Sequence, residues 1–452
     1  MVKETNIPRE IHDFFENKQS QFLLVKGGSG TGKTSFSLEL LREFTTDDKC
    51  GVCVFTRLVR NEVFTNFPWV EEGVTEGKYI IFDRDDGISD ANRFRKEFTE
   101  LCAKHDISIF IMDTIQPITE RFDSPNRKLK ELHQTISAEQ LNTVIVSEES
   151  AEGYLDYLVG GIVTLSRSEL EGRRVRTISL DKLRGVEIKQ PRYVMTLQDG
   201  KFKSFNPFPT EYTEFTQWKA IPDTETTFST GIADLDKLLG GGYKRGSYNV
   251  IEVADNVSSP EYLSIIRPVI LNFLSQRRGV VVVLTGGDHP DTIRNDFTRF
   301  IPEAYFDNYM RIADYFSTDS TKPYVMPLGI SKEDAIRKWT ATIAKLRGKE
   351  NRPILDFTGF DTLEYLRGET IAIKELLNGV AATKVSNDLG LGVIKPGLKL
   401  TQGIRNMADT YLKIVDIHNT CCIYGIKPQT IMYVITPDET MGYPHVKLTP
   451  IV

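Results

Sequence analysis

Short runs of consecutive apolar residues alternate along the chain with segments whose apolar positions recur at helical spacing. Phe22-Leu-Leu-Val leads into the glycine cluster Gly27-Gly-Ser-Gly, and residues 35–44 then place Phe36, Leu38, Leu40 and Leu41 in an amphipathic helical pattern. Further apolar runs stand at Gly51-Val-Cys-Val-Phe, Ile107-Ser-Ile-Phe-Ile-Met-Asp and Thr143-Val-Ile-Val-Ser, with helical patterns over 91–104 and 127–141 between them. Strand-like runs separated by helices predict an α/β fold in which helices cover a mostly parallel sheet on both faces. From Ile162 to Phe202 the pattern shortens to Ile162-Val-Thr-Leu, Arg176-Thr-Ile-Ser-Leu and Tyr193-Val-Met-Thr-Leu, closed by Gln198-Asp-Gly-Lys201. These runs predict antiparallel hairpins at the edge of the same sheet.

Residues 204–230 are rich in Pro and Thr and lack a sustained helical period, which marks a linker or an extended strap. The expected organisation is a first domain over 1–204, a linker over 205–228 and a second domain over 229–452. The second domain begins with Gly231-Ile-Ala-Asp-Leu-Asp-Lys-Leu-Leu-Gly-Gly-Gly-Tyr, followed by strand-like runs at Tyr248-Asn-Val-Ile-Glu-Val and Val280-Val-Val-Val-Leu-Thr. The two halves echo each other.

Composition narrows the class. With 40% hydrophobic and 26% charged residues among 452, the chain is globular, and disorder or a disulfide scaffold is disfavoured. The net charge of -6 provides no global positive field toward nucleic acid or anionic membrane, so such a contact would need a local patch. One basic stretch exists, with Arg167, Arg173, Arg174, Arg176, Lys182 and Arg184 partly offset by Glu169, Glu171 and Asp181, and it reads as a solvated hairpin face. No run approaches the roughly 18 apolar residues of a membrane span, and the opening residues lack a signal-sequence pattern, so a cytoplasmic protein is expected. The five cysteines lack paired metal-ligand spacing, Cys53 of the Cys50–Cys53 pair falls in an apolar run, and the six histidines are scattered. No structural metal is expected.

The chemistry concentrates in Gly27-Gly28-Ser29-Gly30-Thr31-Gly32-Lys33-Thr34, which fits GxxxxGK[ST] and is followed by Ser35 at the start of the helical pattern. Glycines let backbone N–H groups approach phosphate oxygens, Lys33 places a charge on the β- and γ-phosphates, and the Thr34 hydroxyl is the expected Mg2+ ligand. A metal carboxylate is needed at the end of a neighbouring strand, and Ile109-Phe-Ile-Met-Asp113 supplies it; Asp113 is the Walker B candidate. The fourth run ends Ser147-Glu148-Glu149-Ser150, whose polar groups either sense the γ-phosphate and orient water or form a charged strand end in solvent.

The phosphate loop, Asp113 and Ser179-Leu-Asp-Lys-Leu-Arg-Gly185 together resemble the archaeal KaiC/RadA-like branch of the RecA-type ATPases. The opening Ile7-Pro-Arg-Glu-Ile-His-Asp-Phe-Phe, and Phe55-Thr-Arg-Leu before Phe67-Pro-Trp, resemble more narrowly the gas vesicle protein D group. The resemblance spans essentially the whole chain. It implies tandem RecA-like domains, ATP and Mg2+ as ligands, and a homo-oligomer in which Lys182 and Arg184 reach the neighbour's ATP. In one respect the chain departs from the family. Related ATPases end the second strand on a glutamate that polarises water, whereas this strand ends Phe55-Thr56-Arg57-Leu58. Glu62 and Glu148 are the substitutes at hand, and the missing carboxylate points to slow hydrolysis or to nucleotide binding used as a switch.

Setting Phe22-Leu-Leu-Val-Lys against Tyr248-Asn-Val-Ile-Glu places Val253 opposite Gly27, Ser258 opposite Gly32, Ser259 opposite Lys33 and Pro260 opposite Thr34. The segment from Ser229 to Gly246 still resembles a KaiC-type domain start, and Ile354-Leu-Asp356 takes a Walker-B-like position. The second half therefore reads as a pseudo-ATPase domain, serving as a partner-binding or oligomerising surface or as a structural brace. The function expected is an ATP-binding, slowly hydrolysing regulatory protein that acts through assembly or a protein partner. The alternatives are a RadA-like DNA-binding ATPase, which the net acidity disfavours, and a non-enzymatic nucleotide-gated scaffold.

Overall fold

In the computed structural model, which describes residues 5–16, 20–83, 91–116, 125–148, 153–209, 216–329, 332–438 and 445–452, the apolar runs become central strands of two sheets. The chain divides into one unit of Met1–Asn206 with Pro450–Val452 and a second of Pro207–Thr449.

The first sheet contains β1 (Phe22–Lys26), β2 (Cys50–Phe55), β3 (Tyr79–Phe82), β4 (Ile107–Asp113), β5 (Asn142–Val146), β6 (Gly161–Leu170), β7 (Arg173–Leu183), β8 (Arg192–Thr196) and β9 (Lys203–Ser204). Its order is β3-β2-β4-β5-β1-β6-β7-β8-β9. The pairs from β3 through β6 are parallel, and β7 to β9 add antiparallel hairpins at one edge. Because strand side chains alternate, β1 feeds two cores. Leu23 and Val25 pack with Phe36, Leu38 and Leu40 of the helix that follows the loop, while Phe22 and Leu24 pack with Phe98 and Ile136 on the other face. An additional helix, α1 (Arg9–Glu16), buries Ile11, Phe14 and Phe15, and its Glu10 accepts a 2.7 Å hydrogen bond from the Tyr193 hydroxyl. At the turn before β9, Asp199 and Gly200 both take positive φ, as an Asp-Gly turn requires.

The second unit repeats the plan. Its strands are β10 (Thr227–Phe228), β11 (Tyr243–Lys244), β12 (Tyr248–Val253), β13 (Val280–Val283), β14 (Met310–Asp314), β15 (Val325–Pro327), β16 (Leu355–Gly359), β17 (Leu389–Ile394), β18 (Thr410–Ile417), β19 (Thr420–Lys427), β20 (Tyr433–Pro437) and β21 (Val446–Pro450). β10 pairs with β11 alone, and the rest run β15-β14-β13-β16-β17-β12-β18-β19-β20-β21. β12, β13, β14, β16, β17 and β18 thus hold the places of β1 to β6 in turn. The first helix after β12 is Ser259–Ser275, so the loop between strand and helix has about the same length in both units. Trp218, in the Pro/Thr-rich stretch, is buried in this second core, and Ile221 exchanges backbone hydrogen bonds with the Asn272 side chain at 2.8 and 2.9 Å. That stretch is a strap packed on its unit; residues 210–215 lie outside the described residues.

Strand register corrects one expected match. Met112 stands level with Ile145 and Leu24 in the first sheet, and Thr358 stands level with Gly392 and Val250 in the second. Gly359 therefore holds the place of Asp113, and Asp356 lies level with Tyr248 at the opposite end of the strand. Apolar residues ending in Asp occur at either end of a strand, and only the pairing distinguishes them. Asp356 Oδ1 is sealed from solvent with no hydrogen-bond partner among the described residues. Burial, with Asp388 nearby, pushes its carboxyl up to about 7. Asp388 itself pairs with Arg347 and accepts the Ile354 N–H.

An unfolded aspartate titrates near 3.9, so between about pH 4 and pH 7 the folded chain holds one more proton than the unfolded chain at this site. The Asp356 contribution to stability is consequently lost as pH rises through that window. Asp356→Asn is expected to flatten the slope, so that its urea midpoint relative to wild type is higher at pH 8 than at pH 4; parallel slopes would show that Asp356 is not the group responsible.

Candidate functional site

The parallel register delivers the ends of β1, β2, β4 and β5 to one edge of the first sheet, and the predicted residues gather there. After Lys26 the chain turns at Gly27 with φ 147°, and a Cβ at that position would lie 2.5 Å from the Leu165 main-chain oxygen of β6. At Gly32, φ is 101° and a Cβ would meet the Leu197 methyl at 2.7 Å. Both sites admit only glycine. Gly28, Ser29 and Gly30 form the exposed crown of the loop, and the Thr31 hydroxyl closes it onto Gly28 O at 2.9 Å. Lys33 begins α2 (Lys33–Phe44), with Thr34 and Ser35 in the first turn.

Lys33 Nζ folds back over the loop and donates to Gly27 O at 2.7 Å and Gly28 O at 2.8 Å. Burial lowers its pKa, opposed by Glu148 and Asp113. The Thr34 hydroxyl donates to Asp113 Oδ2 at 2.7 Å across the intervening strand β5. Burial raises the Asp113 carboxyl, opposed by the Thr34 hydrogen bond and by Lys33. A hydroxyl and a carboxylate converging beside a ring of glycine N–H groups form a hard-oxygen donor set that fits Mg2+, with phosphate and water oxygens completing the shell.

Glu148 and Arg57 form an ion pair with Nη1 to Oε1 at 2.5 Å, and both act electrostatically on Lys33 and Asp113. Arg57 follows the end of β2, and Glu148 follows the end of β5, so the pair joins the two strand ends. Glu62 is exposed; its carboxylate accepts the Val59 N–H at 3.1 Å and caps the helix Arg60–Asn66. Glu149 and Ser150 lie outside the described residues. Lys182 Nζ donates to Asp156 O and Val159 O, at 2.9 and 2.8 Å, satisfying the end of the short helix Tyr154–Leu158 in its own chain. Arg184 is exposed, with its backbone N–H on Gly160 O.

Two features were not anticipated. Thr56, Thr114, Gln116 and Ser147 form a hydrogen-bonded chain linking the ends of β2, β4 and β5, with Thr114 Oγ1 to Gln116 Oε1 at 2.6 Å and Gln116 Nε2 to Ser147 Oγ at 2.7 Å. The signal for it was the polar Thr-Ile-Gln directly after Asp113. The basic hairpin is also not wholly a solvated face: Arg176 is buried and donates from Nη1 to Gly30 O at 2.9 Å.

In the second unit the matching helix start is filled from within. Ser258 donates from N and Oγ to Glu261 Oε2, at 2.6 and 2.7 Å, so a carboxylate already occupies the electropositive helix end that receives phosphate in a phosphate loop.

A family model for the KaiC ATPase matches residues 16–203, and one described as GvpD basic region 2 matches residues 217–452. Protein GvpD2 of Halobacterium salinarum is 26% identical, with the alignment covering 99% of this chain and 96% of that protein. Protein GvpD1 of the same organism is 24% identical, covering 98% and 96%. The circadian clock oscillator protein KaiC of Synechococcus elongatus is 27% identical over 50% of this chain and 46% of its own length.

The loop geometry makes a direct forecast. Gly27→Ala places a methyl against main-chain oxygen that cannot swing aside, at a φ that L side chains avoid, and should cost about 2 kcal/mol or more. Urea denaturation measures it, and a cost under about 0.5 kcal/mol would mean the loop does not need this conformation.

Proposed function

The chain belongs to the gas vesicle protein D family, and from that premise we propose that it is an ATP-binding regulatory protein that hydrolyses ATP slowly in its first unit. The observation that carries this reading is the meeting of Thr34 and Asp113 at 2.7 Å beside the buried Lys33. Loop N–H groups and Lys33 bind the phosphates of ATP, and Thr34 and Asp113 hold Mg2+. Held there, the ion would supply electrostatic neutralisation of phosphate charge.

Glu148 is the water-orienting carboxylate in this proposal, because it, and not Glu62, acts on Lys33 and Asp113. Its pairing with Arg57 restrains it, which accords with slow turnover and long-lived nucleotide states. In this reading the exposed Arg184 serves a neighbouring subunit's ATP, while Lys182, expected beside it, bonds Asp156 O and Val159 O of its own chain. The protein acts as a homo-oligomer whose nucleotide state sets its affinity for a regulatory protein partner. The second unit is a pseudo-ATPase: Glu261 holds the helix end that an anion would need. It provides partner or subunit contacts.

Calorimetry should give one Mg-ATP per chain, and Lys33→Ala should weaken binding about 100-fold, or about 3 kcal/mol, from the loss of charge-assisted bonds. Two nucleotides per chain would overturn the pseudo-ATPase assignment.

Steady-state phosphate release tests the chemistry. Glu148→Gln is expected to lower it about 100-fold while ATP affinity changes less than about 3-fold. Turnover per chain should rise with protein concentration in wild type and not in Arg184→Ala. Binding without any release would reassign the protein as a nucleotide-gated scaffold.

A further inference from the structure

Arg176 lies on β7 and is 6% exposed. Burial works against its charge, and Arg174 and Arg167 add repulsion. Two oxygens hold its guanidinium: Nη1 donates to Gly30 O at 2.9 Å, and Nε donates to Val452 O. A buried guanidinium left short of acceptors is strongly unfavourable, so each oxygen is needed to keep Arg176 in place.

The Gly30 carbonyl has a specific consequence for the loop. Gly30 C=O and Thr31 N–H belong to one planar trans peptide and point in opposite directions. An arginine that fixes the carbonyl therefore turns the Thr31 N–H away from itself, and such N–H groups make up the phosphate cradle. Val452 is held with its neighbours: Ile451 is 2% exposed, and Pro450 O accepts the Thr196 hydroxyl at 2.6 Å. Thr196 directly precedes Leu197, whose methyl packs against Gly32. The segment thus connects to the loop through two chains of contacts, one by Arg176 and one by Thr196 and Leu197, and all of these residues lie in the first unit.

We propose that Pro450–Val452 is a latch for the phosphate loop, with Arg176 as the positioning residue, so that docking of this segment and binding of Mg-ATP favour each other. This rests on the first unit binding ATP as described above. The docked segment holds Arg176, Arg176 holds the Gly30–Thr31 peptide plane, and the loop is presented to phosphate already shaped. Linkage requires the reverse effect at equal strength: bound nucleotide holds the segment down.

The experiment uses the full chain and reads both directions. Hydrogen exchange at Ile451 and Val452 is followed with and without Mg-ATP in wild type and Lys33→Ala. Affinity for Mg-ATP is measured in Ile451→Asp, Thr196→Val and Thr196→Ser. Mg-ATP should slow exchange in the segment in wild type and not in Lys33→Ala. Ile451→Asp and Thr196→Val should weaken affinity about 10-fold, within the usual range of such couplings, with kcat preserved and Thr196→Ser restored to wild type. Exchange indifferent to Mg-ATP, with both variants within about 2-fold of wild type, would overturn the latch and leave the ATP site standing. Wild type that fails to bind Mg-ATP would overturn the proposed function, and the latch with it.

Discussion

The hydrogen bond between Thr34 and Asp113 depends on nearly everything else in the first unit. Its partners are 79 residues apart in sequence and belong to elements separated in the sheet by β5. They meet because β1, β5 and β4 are parallel and in a register that brings their carboxyl ends to one level. The connection from β1 to β2 passes over β5 and β4, and that reversal of strand order opens the crevice in which α/β proteins place their ligands. Around this contact the loop is shaped by exclusion: Leu165 O presses on Gly27 so closely that no side chain fits, and Gly32 holds a positive φ against the Leu197 methyls.

The same scaffold without the glycine loop stands in the second unit. Strand order and the length of the loop after the first core strand are reproduced, yet the helix start that would attract an anion is satisfied by Glu261. A fold of this kind is maintained by alternating burial along its strands, which requires apolar residues but no glycine loop. The loop and the architecture are thus separable: one needs a few groups at the sheet edge, the other needs the core.

Charge is handled differently at each buried position. Lys33 and Asp113 are both driven toward neutrality by burial and restored by each other, an arrangement suited to a ligand that brings its own charges. Arg57 and Glu148, more exposed, neutralise each other at the strand ends. Arg176 is satisfied by main-chain oxygens, one of them from the phosphate loop, and Asp356 rests in the opposite end of its sheet with one oxygen unpaired among the described residues.

Local spacing carried much of this in the sequence. The phosphate loop, the strand leading to it, the helix after it and Asp113 follow from periodicity and glycine placement, because each is a property of neighbouring residues. The repeat of the fold was also legible, since the apolar runs recur in the same order. What the sequence could not decide was which distant residues share a level. Asp356 read as a counterpart of Asp113 until pairing with β17 put Gly359 there. Glu62 and Glu148 stood as equal candidates in the sequence, and only the structure separates their surroundings: one caps a helix, the other follows β5 and acts on Lys33. Arg176 was indistinguishable from its exposed neighbours, because antiparallel pairing alone determines which arginine of a basic hairpin turns inward, and only the tertiary structure sets Gly30 and Val452 on either side of it.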